Sequence, residues 1–480
     1  MSHRFKLYQI IFTLSVFTGF GNTSMAENRH FPGGVHDIYI ANIAGIRPEQ
    51  LQNIAPIVEQ SIAAGNYPGA VVLAAHRGKI IYRGVFGNRS ILPTITPMRF
   101  NTIFDLASLT KVVATTPAIM QLVEQGRINL DATVSKYWPD FANKGKGSIT
   151  VRQLLTHTSG LPEEVPRSVT ETLLHNKVLS ELATRTGWFS KRMSRNGEAD
   201  VLHRIIQTKL VHQPGSTFVY SDVNFITLAH LVERVSGERI DHYVQRHVFK
   251  PLGMNYTTYL PPTSWGNYTA PTERSENNLR LGEVHDPTAY SMGGVSGNAG
   301  LFGNAYDLGI YAQCLLEGGR LSNAMSGHRG PGYLLGPLTV LKMTTPQTPL
   351  DVIDVRGLGW DIDSYHSVRG QLFPIYSYGH TGWTGTSLWV DPLTQTWLVI
   401  LTSRTHPTPA AVNQLVFDRR LIANVVAASL TDVSMLGVSN TSKGEIHRAY
   451  KNGLPYKLGE IQKYLWQPEL ALSDFAWRDK

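Results

Sequence analysis

Strand-like sequence stands near both ends of this chain and encloses a long helical middle. Residues 69–87 (GAVVLAAHRGKIIYRGVFG) form two β-rich runs around Arg77-Gly78, a pattern that predicts a hairpin. Residues 377–404 give two further runs, joined at Asp391-Pro392. Residues 127–285 instead consist of helical pieces broken by Gly and Pro, without the alternation typical of strands. The sequence therefore predicts an α+β protein, with an antiparallel sheet flanked by helices and an inserted helical domain.

Apolar residues at three- and four-residue steps predict the flanking helices. An opening helix is expected over 48–65, a long helix over 106–126 that ends at Gly126, and a closing helix over 410–429. The tail mixes Lys, Trp and Leu, and it either packs on the body or forms an interfacial amphipathic helix. The expected segments are a signal peptide (1–26), the first part of the α/β domain (27–126), the inserted helical domain (127–285), the second part of the α/β domain (286–430) and a C-terminal tail (431–480).

The first 26 residues have the pattern of a secretory leader. Arg4 and Lys6 precede an apolar run, and Ser24-Met25-Ala26 is a small-x-small site that predicts cleavage after Ala26. An uncleaved anchor is the alternative, but the apolar run is shorter than the roughly 20 residues that span a bilayer. The sequence thus predicts an exported protein, periplasmic in a Gram-negative source.

The net charge indicates which binding partners to expect, and the cysteine count indicates whether a disulfide can form. The formal net charge is +8, which favours anionic surroundings such as lipid headgroups or cell-wall polymers and allows peripheral association with them. The basic residues form no dense run, so nucleic acid is not an expected partner. Cys314 is the single cysteine and rules out an intramolecular disulfide. The oligomeric state is left open.

Ser108 and Lys111 stand at i and i+3 at the start of the long predicted helix. A serine hydroxyl is a weak nucleophile and needs a proton acceptor within hydrogen-bond reach, which this spacing on one helix face provides. The positive end of the helix also favours developing negative charge. The pattern alone is weak, because a solvated Ser and Lys on a surface helix have the same spacing.

Other catalytic signatures are missing from the sequence. It has no Gly-x-Ser-x-Gly elbow of an α/β-hydrolase and no His-Glu-x-x-His motif. Its Gly-rich segments match neither a phosphate-binding loop nor a dinucleotide fingerprint. We therefore expect no metal site and no cofactor.

Five segments between about 100 and 430 resemble, in order, the class C β-lactamase and low-molecular-mass penicillin-binding protein superfamily. The similarity is greatest to its periplasmic penicillin-binding protein 4B type, which is named for D-alanyl-D-alanine carboxypeptidase activity. The segments are FDLASLTKVVATTPAIMQLVEQGRINLDATVSKYWPDF, LLTHTSGLP, PGSTFVYSDVNF, SMGGVSGNAGLF and YGHTGWTGT. The resemblance implies the β-lactamase/transpeptidase-like fold.

The resemblance also implies roles for individual residues. Ser108 becomes the nucleophile, Lys111 its immediate partner, and Tyr220 the group that shares the proton. A neighbouring ammonium favours the ionised form of a phenol, which agrees with Tyr220 acting as a base. Thr381 and Gly382 are expected to contact the substrate, and the backbone N–H groups of Ser108 and Trp383 to form the oxyanion hole.

Two residues depart from the family pattern. Asp222 replaces the usual Asn of the Tyr-x-Asn element, which puts its contact with a substrate amide in doubt, and Asn224 is a possible substitute. His380 replaces the usual Lys of Lys-Thr-Gly. A histidine is positive only when protonated, so substrate carboxylate recognition is expected to weaken between about pH 5.5 and 8. His157 is expected to support the site structurally.

The expected reaction is acylation of Ser108 followed by hydrolysis. The expected substrates are D-alanyl-D-alanine peptides derived from peptidoglycan and, through the same acylation, β-lactams. An esterase or D-aminopeptidase on the same scaffold stays open, and so does a catalytically silent cell-wall-binding protein.

Overall fold

An antiparallel sheet drawn from both halves of the chain forms the centre of the protein. The computed structural model describes residues 37–166, 188–275, 278–321, 332–409 and 412–433; side chains are described outside 188–196 and 274–278. The predicted leader and nearly all of the predicted tail lie outside these ranges. The strands of the main sheet are β1 (Asp37–Ile40), β2 (Gly69–His76), β3 (Lys79–Ser90), β4 (Thr96–Pro97), β10 (Val355–Arg356), β11 (Asp361–Asp363), β12 (Tyr378–Thr381), β13 (Ser387–Asp391) and β14 (Thr396–Thr402).

The early and late strands meet at the centre of this sheet. The order is β1-β3-β2-β14-β13-β12-β11-β10, with β4 added beside β3. Strand β2 pairs antiparallel with β14, so that Val72 lies opposite Ile400. The predicted hairpin is present, with Arg77 (φ +49°) and Gly78 (φ +73°) forming its two-residue turn.

Alternate residues of the central strands face two separate apolar layers. Val71 and Leu73 of β2 pack into a large core shared with the helices of the middle region. Val72 and Ala74 face the opposite layer, where the first and last helices of the described chain cover the sheet. This arrangement confirms the predicted α+β class, an antiparallel sheet flanked by helices.

The opening helix predicted over 48–65 divides into Pro48–Leu51 and Ile54–Ala63, and the long helix predicted over 106–126 contains the π-helical turn Lys111–Thr115 before its α-helical part. The predicted closing helix is present as Val412–Ser429. No helix in the described residues combines the length and apolar character needed to cross a membrane. The α-helices are α1 (Pro48–Leu51), α2 (Ile54–Ala63), α3 (Thr116–Glu124), α4 (Val151–Leu155), α5 (Trp188–Gln207), α6 (Asp222–Ser236), α7 (Ile240–Val244), α8 (Lys250–Leu252), α9 (Pro287–Ser291), α10 (Ala305–Leu316), α11 (Pro337–Thr344) and α12 (Val412–Ser429).

Shorter elements connect the helices and the sheet. Two turns are π-helical, Lys111–Thr115 and Gln245–Phe249, and the first of them leads directly into α3. The 3-10 helices are Val134–Lys136, Pro139–Gly145 and Thr263–Trp265. The remaining strands are β5 (Phe104–Asp105), β6 (Thr258–Tyr259), β7 (Arg274–Ser275), β8 (Asn278–Leu279) and β9 (Leu301–Gly303). Strand β9 pairs with both β5 and β6.

The late β-rich stretch is divided differently from the prediction. The first predicted run is two strands, β12 and β13, because residues 382–386 form a turn between them. The N–H of Gly382 donates to the carbonyl of Thr386, and Gly385 has φ +120°. All described residues belong to one unit, Gly34–Lys480, so the predicted domain boundaries at 127 and 286 stay predictions.

Candidate active site

Ser108 lies in a tight turn between β5 and the helix that begins at its C-terminal side. The preceding residue, Ala107, has φ +47°, a backbone conformation that is strained for an L side chain. The buried carboxylate of Asp105 holds the turn, since it accepts hydrogen bonds from the N–H groups of Ala107 (2.8 Å) and His285 (2.7 Å). Burial raises the pKa of Asp105 to about 6. The turn leaves Ser108 partly exposed at the helix N-terminus.

The Lys111 ammonium has three acceptors around it. Its Nζ lies 3.0 Å from Ser108 Oγ, 3.1 Å from the carbonyl oxygen of Asn298 and 2.6 Å from Asp222 Oδ1. The contact with Asp222 is an ion pair, and the Tyr220 side chain is a further partner of the ammonium. The lysine side chain is 0% exposed. Lys111 therefore meets the nucleophile as a buried group surrounded by oxygen atoms.

Burial and charge act in opposite directions on Lys111. Burial alone lowers its pKa, but the Asp222 carboxylate, followed by Tyr220, outweighs burial and the net shift is upward. The ion pair and the raised pKa agree with the three-acceptor geometry. Lys111 thus stays protonated in the resting protein.

Asp222, which stands where the family usually has Asn, places a carboxylate beside Lys111. Asp222 is the first residue of α6, which starts here and not in an extended segment, so Asp222 and Asn224 do not share a side. Substitution of Asn224 for the family's Asn was left open, and the structure gives Asn224 other partners. Asn224 is buried, accepts a hydrogen bond from Ser159 Oγ (2.6 Å), and has its Nδ2 3.3 Å from Nδ1 of His157.

Tyr220 is held among aromatic and cationic groups. Its ring centroid lies 5.0 Å from Lys111 Nζ and 4.6 Å from the His157 ring, which stacks on it at 30°. His157 Nδ1 accepts from the Ser221 N–H at 3.0 Å and so fixes the backbone next to Tyr220. The structure brings Tyr220 to the Ser108–Lys111 pair, with His157 placed as its support.

The turn between β12 and β13 is attached to the chain that carries Ser108. Thr384 Oγ1 donates to the carbonyl of Asp105 (2.7 Å), and Thr386 Oγ1 donates to that of Leu106 (3.0 Å). A Cβ on Gly382 would overlap the Leu106 carbonyl oxygen and the Thr386 hydroxyl. The glycine is thus required for packing against the nucleophile's turn, in addition to any contact with substrate.

Two backbone donors next to this turn have no partner within the described residues. They are the N–H groups of Ser108 and Trp383, the pair expected to form the oxyanion hole. The Trp383 side chain is 56% exposed, while its carbonyl accepts from Arg404 Nε at 2.6 Å. The arrangement leaves two N–H groups available to a ligand oxygen.

His380 is a neutral residue in this environment, which corrects the expected imidazolium. Burial, followed by the charges of Arg356 and Lys111, lowers its pKa well below the ordinary 6.5. Its Nδ1 lies 2.8 Å from the carbonyl oxygen of Thr381 and therefore carries the proton. Thr381 itself is half-buried on the same strand. The lowered pKa favours a neutral His380, in contrast to the positive charge that was expected to titrate between pH 5.5 and 8.

Four buried nitrogens around Tyr220 and His380 have no hydrogen-bond partner among the described residues. They are Nε2 of His157, Nε2 of His366, Nε2 of His380 and Nε of Arg356. The Arg356 guanidinium lies 5.4 Å from the centre of the Phe218 ring and 6.0 Å from that of Tyr220. Burial and Arg356 lower the pKa of His366 to about 4. The family motifs in the sequence did not indicate that Arg356, His366 or the Asn298 carbonyl would lie at this site.

One group of side chains in the described part of the chain could hold a metal ion. The ligand atoms of Glu198, His230 and Glu233 lie within 4.8 Å of one another. Burial, followed by the Glu233 carboxylate, raises the pKa of Glu198, and Glu233 Oε1 accepts from the Ile240 N–H at 3.0 Å. This group contains none of the residues that surround Ser108.

The fold and the Ser108–Lys111 pair define an active-site serine hydrolase. The family model described as Beta-lactamase matches residues 54–421, and the chain belongs to that family. A protein of Escherichia coli O157:H7 named "Putative D-alanyl-D-alanine carboxypeptidase" is 32% identical over 397 residues, which cover 76% of this chain and 84% of that protein.

Two further comparisons agree with this family. A Bacillus subtilis protein named N-acetylmuramyl-L-alanine amidase is 32% identical over 433 residues, covering 83% of this chain and 90% of its own length. A solved penicillin-binding protein homologue from Caulobacter crescentus superposes with a TM-score of 0.60 at 20% identity, covering 82% of this chain and 100% of that chain. The structural likeness confirms the β-lactamase/transpeptidase-like fold.

Proposed function

We propose that the protein forms an acyl-enzyme at Ser108 and then hydrolyses it. The observation that carries this proposal is the 3.0 Å contact between Lys111 Nζ and Ser108 Oγ at the start of a helix. A cation and a helix N-terminus both favour the alkoxide that attacks a carbonyl carbon. The free N–H groups of Ser108 and Trp383 support an oxyanion hole for the tetrahedral intermediate.

The proton of Ser108 goes to Tyr220 in this proposal. Although burial lowers the pKa of Lys111, the Asp222 carboxylate 2.6 Å from its Nζ gives a net upward shift, which favours the ammonium form over a free base. The Tyr220 ring centroid lies 5.0 Å from Lys111 Nζ, which places a second proton-carrying side chain at the Ser108–Lys111 pair. Lys111 then stabilises charge on Ser108 Oγ, and Tyr220 later returns the proton to the leaving group.

The proposed substrates are peptidoglycan-type peptides ending in D-alanyl-D-alanine, with β-lactams as acylating analogues. The names of the carboxypeptidase and amidase relatives support cell-wall chemistry. Arg4, Lys6 and the small residues up to Ala26 support export to the compartment that contains this polymer, periplasmic in a Gram-negative source. N-terminal sequencing of the secreted protein should begin at Glu27.

A second candidate is hydrolysis of neutral esters on the same site. The neutral state of His380 favours it, because the family's fixed lysine charge is missing at this strand. Parallel turnover of a p-nitrophenyl ester and a D-alanyl-D-alanine peptide separates the two candidates. Turnover of the ester alone would replace the peptide assignment and leave the acyl-enzyme in place.

Intact-mass measurement after incubation with a penicillin or a fluorophosphonate tests the acyl-enzyme directly. We expect one adduct on the wild type, its loss in Ser108→Ala, and its retention in Ser216→Ala, which changes an exposed serine elsewhere. An unlabelled wild type would favour the catalytically silent wall-binding protein. An adduct that persists in Ser108→Ala would move the nucleophile to another residue.

A further inference from the structure

A large apolar groove lies away from the Ser108 site. Its volume is about 570 Å³, and neither Ser108, Lys111 nor Tyr220 lines it. The ends of α10 and α11 and the turn between β13 and β14 form its walls. Apolar side chains at these walls are Leu315, Leu316, Leu338, Leu341, Ile362 and Leu393.

The groove exposes apolar surface that a folded chain normally covers. Leu338, at its rim, is 74% exposed, the highest value among the large apolar side chains described. An apolar patch of this kind marks a contact site for another apolar segment. The occupant must therefore present apolar side chains along one face.

The described chain ends beside this groove. Asp432 contacts His76 Nε2 (2.9 Å) and Arg77 Nη1 (2.9 Å) in the β2–β3 turn. The Arg77 N–H donates to the carbonyl of Gln395 (2.8 Å), in the same β13–β14 turn that contributes Leu393 to the groove. The neighbouring Gly78 faces Gln313 of α10, two residues before Leu315. The segment after residue 433 thus starts beside the β2–β3 turn, which contacts the β13–β14 turn that contributes Leu393 to the groove.

The C-terminal sequence contains a segment that matches the groove. Leu458, Ile461 and Leu465 follow one another at steps of three and four, a spacing that places apolar side chains on one helix face. The residues between 433 and 458 span up to about 3.3 Å each when extended, so a linker of this length can pass from the β2–β3 turn across the neighbouring β13–β14 turn to the groove. We propose that the segment Leu458–Leu465 docks in this groove.

Cross-linking in the full mature chain tests the docking. Leu338→Cys combined with Leu465→Cys places one thiol at the rim and one on the segment. The matched control combines Leu465→Cys with Ile95→Cys, since Ile95 is 67% exposed and follows the end of β3 opposite the Arg77 turn. The native Cys314 is buried, and burial raises the pKa of its thiol, so it does not compete.

We expect mild oxidation to form an intramolecular disulfide several-fold faster in the Leu338→Cys/Leu465→Cys variant than in the Ile95→Cys/Leu465→Cys variant. The disulfide is detected as faster migration on a non-reducing gel and as a mass lower by two hydrogens. Equal rates would overturn the proposal. Cross-linked dimers at low protein concentration would overturn it in favour of a second copy as the occupant.

Truncation after Ser442 provides an independent readout. The truncated chain should bind several-fold more bis-ANS than the full chain, and adding Leu338→Asp to the truncated chain should reverse most of that gain. Unchanged dye binding after truncation would show that the groove is covered by something else, such as residues 322–331 or a bound lipid, and would overturn the proposal.

Discussion

The polar groups around Lys111 and those around His380, on two sides of the Ser108 site, differ in their hydrogen bonding and charge. On the Lys111 side, each ammonium donor has an acceptor, and a carboxylate fixes the charge. On the His380 side, several buried nitrogens have no partner among the described residues, and burial keeps the imidazoles neutral. A buried ion pair thus lies beside the nucleophile, whereas buried imidazole nitrogens without a partner among the described residues lie around His380.

This difference indicates that the Lys111 side is suited to stabilise charge and the His380 side to bind a ligand. A saturated, charged lysine is suited to stabilise an oxyanion or alkoxide and not to accept a proton. Unpaired buried groups cost free energy until a ligand satisfies them, so they favour binding of a partner with matching polar atoms. The buried Arg356 guanidinium lies near the Phe218 and Tyr220 rings and acts as a positive charge on His380, while Asp361 Oδ2 lies 4.0 Å from its Nη1.

Removing the charge on the nucleophile's side should have the largest effect. Lys111→Met takes away the cation next to Ser108 Oγ, and we expect the rate of adduct formation to fall roughly 100- to 10,000-fold. The rate is measured by intact mass over time with a penicillin. Lys136→Met, which removes an exposed lysine, is the control. A loss below about tenfold would contradict the role given to Lys111, provided that urea unfolding shows both variants folded.

Changing the carboxylate should have a smaller and pH-dependent effect. Asp222→Asn keeps an acceptor but removes the charge that raises the pKa of Lys111, so the lysine deprotonates at lower pH. We expect about tenfold slower acylation, the cost of one weakened charged hydrogen bond, and an alkaline decline that begins at lower pH than in the wild type. Rate profiles from pH 6 to 10 measure both effects.

The control for this variant is Asp131→Asn, a carboxylate paired with Arg152 on the surface. A faster Asp222→Asn enzyme at neutral pH would reverse the assignment, since it would mean that a neutral lysine is the better base.

The sequence predicts local features of the site well. The contact between Ser108 and Lys111 follows from helix periodicity within four residues. The Arg77-Gly78 turn likewise depends on local backbone preference. The placement of Tyr220 near them required the family resemblance, because more than 100 residues separate it from Ser108 in the sequence.

Interactions that form only on folding could not be predicted in this way. The Asn298 carbonyl that binds Lys111 is a backbone group, which residue identity does not reveal. Helix α6 starts at Asp222, whose carboxylate lies 2.6 Å from Lys111 Nζ, and the sequence motif alone did not reveal this contact. The neutral state of His380 depends on burial and on Arg356, which comes from a different part of the chain.

The smallest predicted effect tests the neutral state of His380 through stability. A histidine whose pKa is lowered in the folded state binds protons more readily when unfolded, so its contribution is complete above about pH 6.5 and is lost as pH falls. His380→Gln should reduce the fall in unfolding free energy below pH 6.5 by at most about 1.4 kcal/mol per pH unit, the value for one proton. Urea unfolding at pH 7.5, 6.5 and 5.5 measures this slope.

The exposed His203 supplies the control, because His203→Gln should leave the slope nearly unchanged. His157 is also buried with a lowered pKa, so part of the slope should remain in His380→Gln. The same neutral state predicts no step in turnover of a carboxylate substrate between pH 6.5 and 8 from this residue. A step in that range that disappears in His380→Gln would restore a titrating charge at this strand and remove the contrast between the two sides of the site.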